Sequence, residues 1–173
     1  MQRDFYLDMP PWGSITAWQA ANDHLDFIIR RNLSTLDQAL ALAQKVRTRL
    51  ASIHSLLDDL CGLTCPWCPD SCCLTARVWI DFKDLLFLHL IGHSIPRGQL
   101  SSSFQETCRY LSPRGCKLPR ISRPWVCTWY LCPTQKANLY HKDRHVQDRF
   151  SQAIAAIKLD RNEMEAEFIR IVS

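Results

Sequence analysis

Residues 61–73 read Cys61-Gly-Leu-Thr-Cys65-Pro-Trp-Cys68-Pro-Asp-Ser-Cys72-Cys73, a dense run of sulfur between two stretches of helical periodicity. A C-x2-C turn such as Cys65-Pro66-Trp67-Cys68 brings two sulfurs within reach of one metal ion. Thiolates suit zinc and the iron of iron–sulfur clusters. Four more cysteines follow, Cys108, Cys116, Cys127 and Cys132, in a segment rich in Gly, Pro and Ser and poor in periodicity. Neither cysteine segment has enough apolar residues to fold alone, so the two groups are expected to converge in space and staple the centre of the molecule.

Outward from this centre the pattern is helical. In 34–60 the residues Leu36, Ala39, Ala43, Val46, Leu50, Ile53, Leu57 and Leu60 recur at three- and four-residue steps and mark one helical face. Ser34 followed by Asp37 resembles a capping box, which places the helix start near 34. A shorter helix is expected over about 15–31, where Ile15, Trp18, Leu25, Ile28 and Ile29 share a face. A long helix is expected from about 138 to 171 on the stripe Val146, Phe150, Ala153, Ile157, Met164, Phe168 and Ile171, which Arg161 interrupts. Packed antiparallel, the two long stripes close the fold around the centre; the alternative is that they form a homodimer interface. Arg77-Val-Trp-Ile-Asp81 reads as a short strand, Asp81 to His89 as a helix, and 94–136 as loop.

The expected fold is therefore mostly α, with long N- and C-terminal helices packed around a loop-rich cysteine-cluster centre with little or no β. With 173 residues, 47% hydrophobic and 22% charged, the chain can bury one core but hardly two. A single domain over 1–173 is expected, its core at 61–132 flanked by helical segments 15–60 and 138–171. No export signal is readable in the first residues, and no segment approaches the roughly 20 apolar residues of a membrane span. A reducing, cytoplasmic compartment without a membrane partner is expected on that ground. In such a compartment clustered thiols ligate metal more often than they form lasting disulfides, and nine cysteines is an odd number for a pure disulfide framework.

Charge agrees with a thiolate cluster. Between Ser94 and Lys136 stand Arg97, Arg109, Arg114, Lys117, Arg120, Arg123 and Lys136 against the single acid Glu106. Cations beside thiolates lower thiol pKa values and offset the negative charge. A solvated basic loop and a phosphate-binding patch are the competing readings, the nucleic-acid one ranking last. Trp67, Trp79, Trp125, Trp129 and Tyr130 beside the cysteines are expected to pack around the staple and shield it from water, which favours iron–sulfur over zinc.

Other signals are weaker. Cys61-x3-Cys65-x2-Cys68 has the spacing of radical S-adenosylmethionine enzymes but lacks their α/β barrel context, and Cys65-Pro-Trp-Cys68 lacks the βαβ setting of a thiol redox pair. The pairs His89/His93 and His141/His145 are four apart but carry no adjacent glutamate, so a structural role is expected for the first and a solvated helix start for the second.

The segment Cys65-Pro-Trp-Cys68, Cys72-Cys73, then Val78-Trp-Ile-Asp81, Cys108, Cys116, Arg123-Pro124-Trp-Val-Cys127 and Cys132 resembles the YkgJ-like cysteine-cluster family, described as zinc- or iron-chelating proteins. The resemblance covers 61–132 and not the flanking helices. It implies Cys65, Cys68, Cys72, Cys73, Cys108, Cys116, Cys127 and Cys132 as metal ligands, with Cys61 an extra and dispensable cysteine. This chain departs from the family pattern in having Pro69-Asp70-Ser71 before the doubled cysteine, one residue more than is usual, and a longer step from Cys116 to Arg123. Flagellin lysine methylases resemble the same family, which makes a cluster-assisted methyl transfer the alternative function. A zinc-stapled nucleic-acid binder ranks third.

The expected function is thus an all-thiolate iron–sulfur or zinc site serving electron transfer, sensing or structure. Arg123 is expected behind the ligands: Pro124 biases it to an extended backbone, and its planar fork of donors suits the carbonyls of the cysteine loops.

Overall fold

A computed structural model describes residues 9–68, 72–75 and 77–173, with the backbone alone at Cys72 and Thr75. Helix α1 spans Ile15–Arg31, held at its start by Ser14, whose Oγ accepts the Ala17 N–H at 3.1 Å. Trp18, Leu25 and Ile29 form its buried face, and the Trp18 indole donates to the Pro96 carbonyl at 2.9 Å, so the largest side chain of the face enters the core with its polar atom satisfied. Helix α2 spans Asp37–Thr64 and buries seven residues of the expected stripe, the eighth, Leu36, being buried just before it at the N-cap. It begins three residues later than the Ser34 reading places it. Leu33–Thr35 form a 3-10 turn, and no side chain caps α2 at Leu36, so the Ser34–Asp37 capping box does not form. The turn instead carries the chain from α1 into α2, with Thr35 Oγ1 donating to the Asn32 carbonyl at 2.8 Å.

The one-turn helix α3 (Cys72–Thr75) precedes an extended segment and then α4, Phe82–Leu90. Asp81 and Asp84 close a reciprocal capping box at the start of α4. Arg77 to Asp81, expected as a strand, pairs with no strand among the described residues. Gln99 takes the place of one: its Oε1 accepts the Ile80 N–H at 2.7 Å and its Nε2 donates to the Ile80 carbonyl at 3.0 Å. The same side chain accepts from Leu100 N–H and donates to the Pro11 carbonyl, so a fully buried amide uses every donor and acceptor it has.

The loop region holds a two-stranded hairpin, β1 (Leu111–Ser112) against β2 (Gly115–Cys116), then a 3-10 turn at Arg120–Ser122 and the one-turn helix α5 (Val126–Trp129). Gly115 has φ +100°, a conformation that side chains oppose, which is why the Pro113-Arg114 turn ends in glycine. The expected helix 138–171 is two helices: α6, Pro133–Tyr140, and α7, Arg144–Val172. The chain turns at His141–Asp143 between them. Pro133 starts α6 inside the segment expected as loop.

Helix α7 runs antiparallel to α2: Arg49 meets Asp160 at 2.7 Å, while Gly62 and Leu63 lie beside Lys142. Phe150, Ile157, Met164 and Phe168 are buried in this packing, and so is Arg161, which is only 3% exposed. Arg161 does not interrupt the buried face but completes it. Its Nη2 donates to Asp84 Oδ1 at 2.7 Å and reaches Asp81 Oδ1 at 3.4 Å, and its guanidinium stands 5.6 Å from the centre of the Trp125 ring. The buried residues form a continuous cluster running through α1, α2, α4 and α7, and the loop-rich centre sits at the end of the helical pair. The fold is mostly α with one small hairpin, as the sequence implies. No helix among the described residues is long and apolar enough to cross a membrane.

Removing one partner of a buried ion pair strands the other, so Arg161→Met is expected to cost about 3–5 kcal/mol in urea unfolding, far beyond the loss from an exposed pair. Burial also holds the His89 imidazole below its ordinary range, with Asp26 opposing, and its Nε2 lies 2.9 Å from Asn22 Oδ1. A folded pKa below the unfolded one gives stability that is present above the unfolded value of about 6.5 and is lost as pH falls from there through the lowered folded value. Calorimetric scans from neutral to acid pH should therefore show a steeper loss in the wild-type chain than in His89→Gln, whose side chain cannot take up the proton.

Candidate metal centre

Three loops and two helix ends surround a cavity of about 540 Å³ at the end of the α2–α7 pair. Cys61, Cys65, Cys68, Cys73, Cys108, Cys116 and Cys127 all line it, so sulfurs separated by more than sixty positions in the chain meet at one surface. Each arrives by a different local device. Cys61 and Cys65 stand one turn apart at the end of α2, on the same helix face. Cys68 follows the Cys65–Trp67 3-10 turn and is exposed at the edge of the cavity. Cys73 belongs to α3, and its carbonyl accepts the Cys108 N–H at 3.4 Å, a backbone bond that joins the two cysteine groups directly. Cys116 is carried by β2, where a side chain added at Gly115 would lie 3.9 Å from the Cys65 Cβ; the hairpin therefore rests against the end of α2. Cys127 is set by α5, whose approach is fixed by the Trp125 N–H donating to Asp84 Oδ1 at 2.9 Å.

Arginine fastens the loops to the helix. Arg120, its side chain 8% exposed, places Nε 2.6 Å from Asp58 Oδ1 and Nη2 2.6 Å from the Leu57 carbonyl, both on α2, and also bonds Cys61. Burial works against its charge, but the bonds to Asp58 and Cys61 hold its pKa above the ordinary arginine value. Arg123 donates Nε to the Leu118 carbonyl at 3.0 Å and Nη2 to the Cys116 carbonyl at 3.4 Å, so the fork spans the stretch that carries Cys116. Arg114 also lines the cavity, whereas Arg97, Arg109, Lys117 and Lys136 are exposed at the surface.

Gln135, buried on α6, ties the site together from the other side. Its Nε2 donates to Cys61 Sγ at 3.2 Å and to Cys65 Sγ at 3.7 Å, while its Oε1 accepts the Cys132 N–H at 3.2 Å. Cys132 itself does not line the cavity. Its sulfur accepts the Gln135 backbone N–H at 3.5 Å and caps α6. The hydrogen bond from Cys65, helped by Arg120 and opposed by burial, brings the Cys61 thiol down to about 5, so this sulfur is readily a thiolate. Burial pushes the Cys108 thiol up, partly offset by the Tyr110 N–H. Cys61, expected outside the site, is thus part of its wall.

Among the described residues no three His, Cys, Asp or Glu side chains gather tightly enough to hold a single ion. The cysteines line one volume, and thiols are donors of the type that both zinc and iron–sulfur clusters take. Cys72 lies outside the described side chains.

No family model, curated protein or solved structure matches this chain.

Little of the aromatic shield expected around the cysteines forms: Trp67 is 83% exposed, Trp79 and Trp129 also face outward, and of the five aromatics only Tyr130 lines the cavity. Apolar lining comes instead from Leu57, Val78, Leu100, Leu118 and Leu131. His89 and His93 bond Asn22 and Ser122, away from the cavity, and His141 and His145 are exposed. Sequence reading missed Gln135, and named Arg120 only as one of the cations beside the cysteines. Gln135 carried a signal, since Cys132-Pro133-x-Gln135 has the form of a capping box with proline at the first helical position. The anchoring of Arg120 to α2 carried none, because its partner Asp58 is 62 residues away.

Arg123→Lys keeps the charge but loses the fork that spans Leu118 and Cys116. Urea unfolding of the metal-free chain is expected to show a loss of about 1–2 kcal/mol, against the roughly 0.5 kcal/mol of an ordinary surface change.

Proposed function

We propose that this protein is a metal-binding module whose cavity cysteines hold a thiolate-ligated iron–sulfur cluster that serves electron transfer or sensing. The observation that carries the reading is the meeting of Cys65, Cys68 and Cys73 with Cys108, Cys116 and Cys127 around one cavity of about 540 Å³. These six residues would hold the cluster, and the resemblance to the YkgJ-like cysteine-cluster family adds Cys72 to them. A bound cluster would supply a one-electron couple. The chain's own contribution is to offset the thiolate charge with Arg120 and Arg123, to limit water with the leucines of the wall, and to keep one edge accessible at the exposed Cys68. That open edge suits exchange with a redox partner. Zinc is the alternative occupant for the same donors.

Anaerobic purification followed by iron, sulfide and zinc determination tests the reading. A brown protein with iron and acid-labile sulfide in matching amounts is the expected result, with both lost in Cys68→Ser and Cys108→Ser. Colourless protein holding stoichiometric zinc would remove electron transfer, and a metal-free wild-type chain would remove the reading altogether.

A further inference from the structure

We infer that Cys61 is a metal ligand of the cavity and that Cys132 is not, an exchange that rests on the reading of the cavity as a metal centre.

Beside the six cavity cysteines and Cys72, two cysteines of the nine are left, Cys61 and Cys132, and the structure treats them differently. Cys61 lies on the cavity wall one helical turn before Cys65, and the Gln135 amide donates to both sulfurs, at 3.2 Å to Cys61 Sγ and 3.7 Å to Cys65 Sγ. Two sulfurs that share one donor on one helix face are held by the most regular element near the site, so a metal that displaces their protons meets a pair already in position. The Arg120 guanidinium, fixed on α2 by Asp58 and the Leu57 carbonyl, stands beside the Cys61 sulfur. Donors of this kind stabilise a bound thiolate as they do a free one, and they also fix where it points.

Cys132 has different surroundings. It is absent from the cavity wall, and its sulfur is occupied as the cap of α6 by the Gln135 N–H at 3.5 Å, while its own N–H is held by Gln135 Oε1. Turning that sulfur inward would uncap α6 and release Gln135, the residue that holds Cys61. A cap needs only a small polar acceptor, and serine fills that role better than cysteine. The cysteine group at the end of α2 thus supplies the ligand that the second group lacks.

Cobalt(II) serves as the probe, because sulfur-to-cobalt charge-transfer absorption grows with the number of bound thiolates. Titrated into the reduced, metal-free chain under anaerobic conditions, it should give a strong band in the wild type and in Cys132→Ser. In Cys61→Ser the band should weaken and competition with a chelator should show at least roughly tenfold lower affinity. A second measurement needs no variant: peptide mapping after iodoacetamide treatment should find Cys61 protected by added Zn²⁺ and Cys132 unchanged. Full cobalt binding in Cys61→Ser, with Cys61 unprotected by zinc, would overturn the inference. So would loss of the band in a folded Cys132→Ser. A wild-type chain that takes up neither cobalt nor zinc, and that also purifies anaerobically without iron and acid-labile sulfide, would overturn the metal-centre reading itself, and this inference with it.

Discussion

The buried pair of Arg161 and Asp84 sets the register on which the rest of this structure depends. Apolar stripes on α2 and α7 supply the drive to pack, but leucine and isoleucine faces accept a slip of one turn at modest cost. A guanidinium that cannot give up its proton does not, since it must find a carboxylate or remain buried and unpaid. Asp84 has fixed its own position by capping α4, so α7 docks where Arg161 reaches it. The same carboxylate accepts the Trp125 N–H, and Trp125 lies two residues before Cys127. One acid therefore joins the cap of α4, the setting of α7 and the path of the second cysteine segment.

The cavity inherits this order. Helix α2 brings Cys61 and Cys65 to its end as a rigid pair, and the loops that complete the wall have little secondary structure with which to hold themselves. They are held by bonds to α2 and to one another: Arg120 to Leu57 and Asp58, Cys108 to Cys73, Arg123 to Leu118 and Cys116, Gln135 to Cys61 and Cys65. These are long-range polar contacts, and with the buried leucines of the wall they take the place of the regular secondary structure that the loops lack.

What was legible in the sequence follows from the range of the forces involved. The faces of α1, α2 and α7 are periodic, and periodicity survives in one dimension, so these faces were readable. The helix ends were not. Ser34 looked like a cap, but the tight turn between α1 and α2 needs those residues for itself, and the apparent helix 138–171 hid a corner at His141–Asp143. Arg161 read as a blemish on an apolar stripe because its partner lies 77 positions away. In the centre, cysteine number and spacing announced a cluster, but which cysteines line the cavity depended on the fold. Cys61 and Cys132 are alike as letters and differ in the structure because one ends a long helix and the other begins a short one. The tryptophans misled for the opposite reason: adjacency to a cysteine in sequence placed Trp67 and Trp129 at the surface beside the site, not over it.

The Gln99 side chain closes a different kind of opening. A stretch that enters the core with no strand beside it among the described residues, such as that leading into Ile80, ordinarily leaves amide and carbonyl groups without partners, which is costly away from water. Here the amide and carbonyl of Ile80 are already taken by a single side chain that imitates the pairing of a strand without extending it. A glutamine gives the segment one partner's worth of hydrogen bonds and then stops. The chain thereby enters α4 through the core with the Ile80 peptide groups paired by one side chain and no second strand.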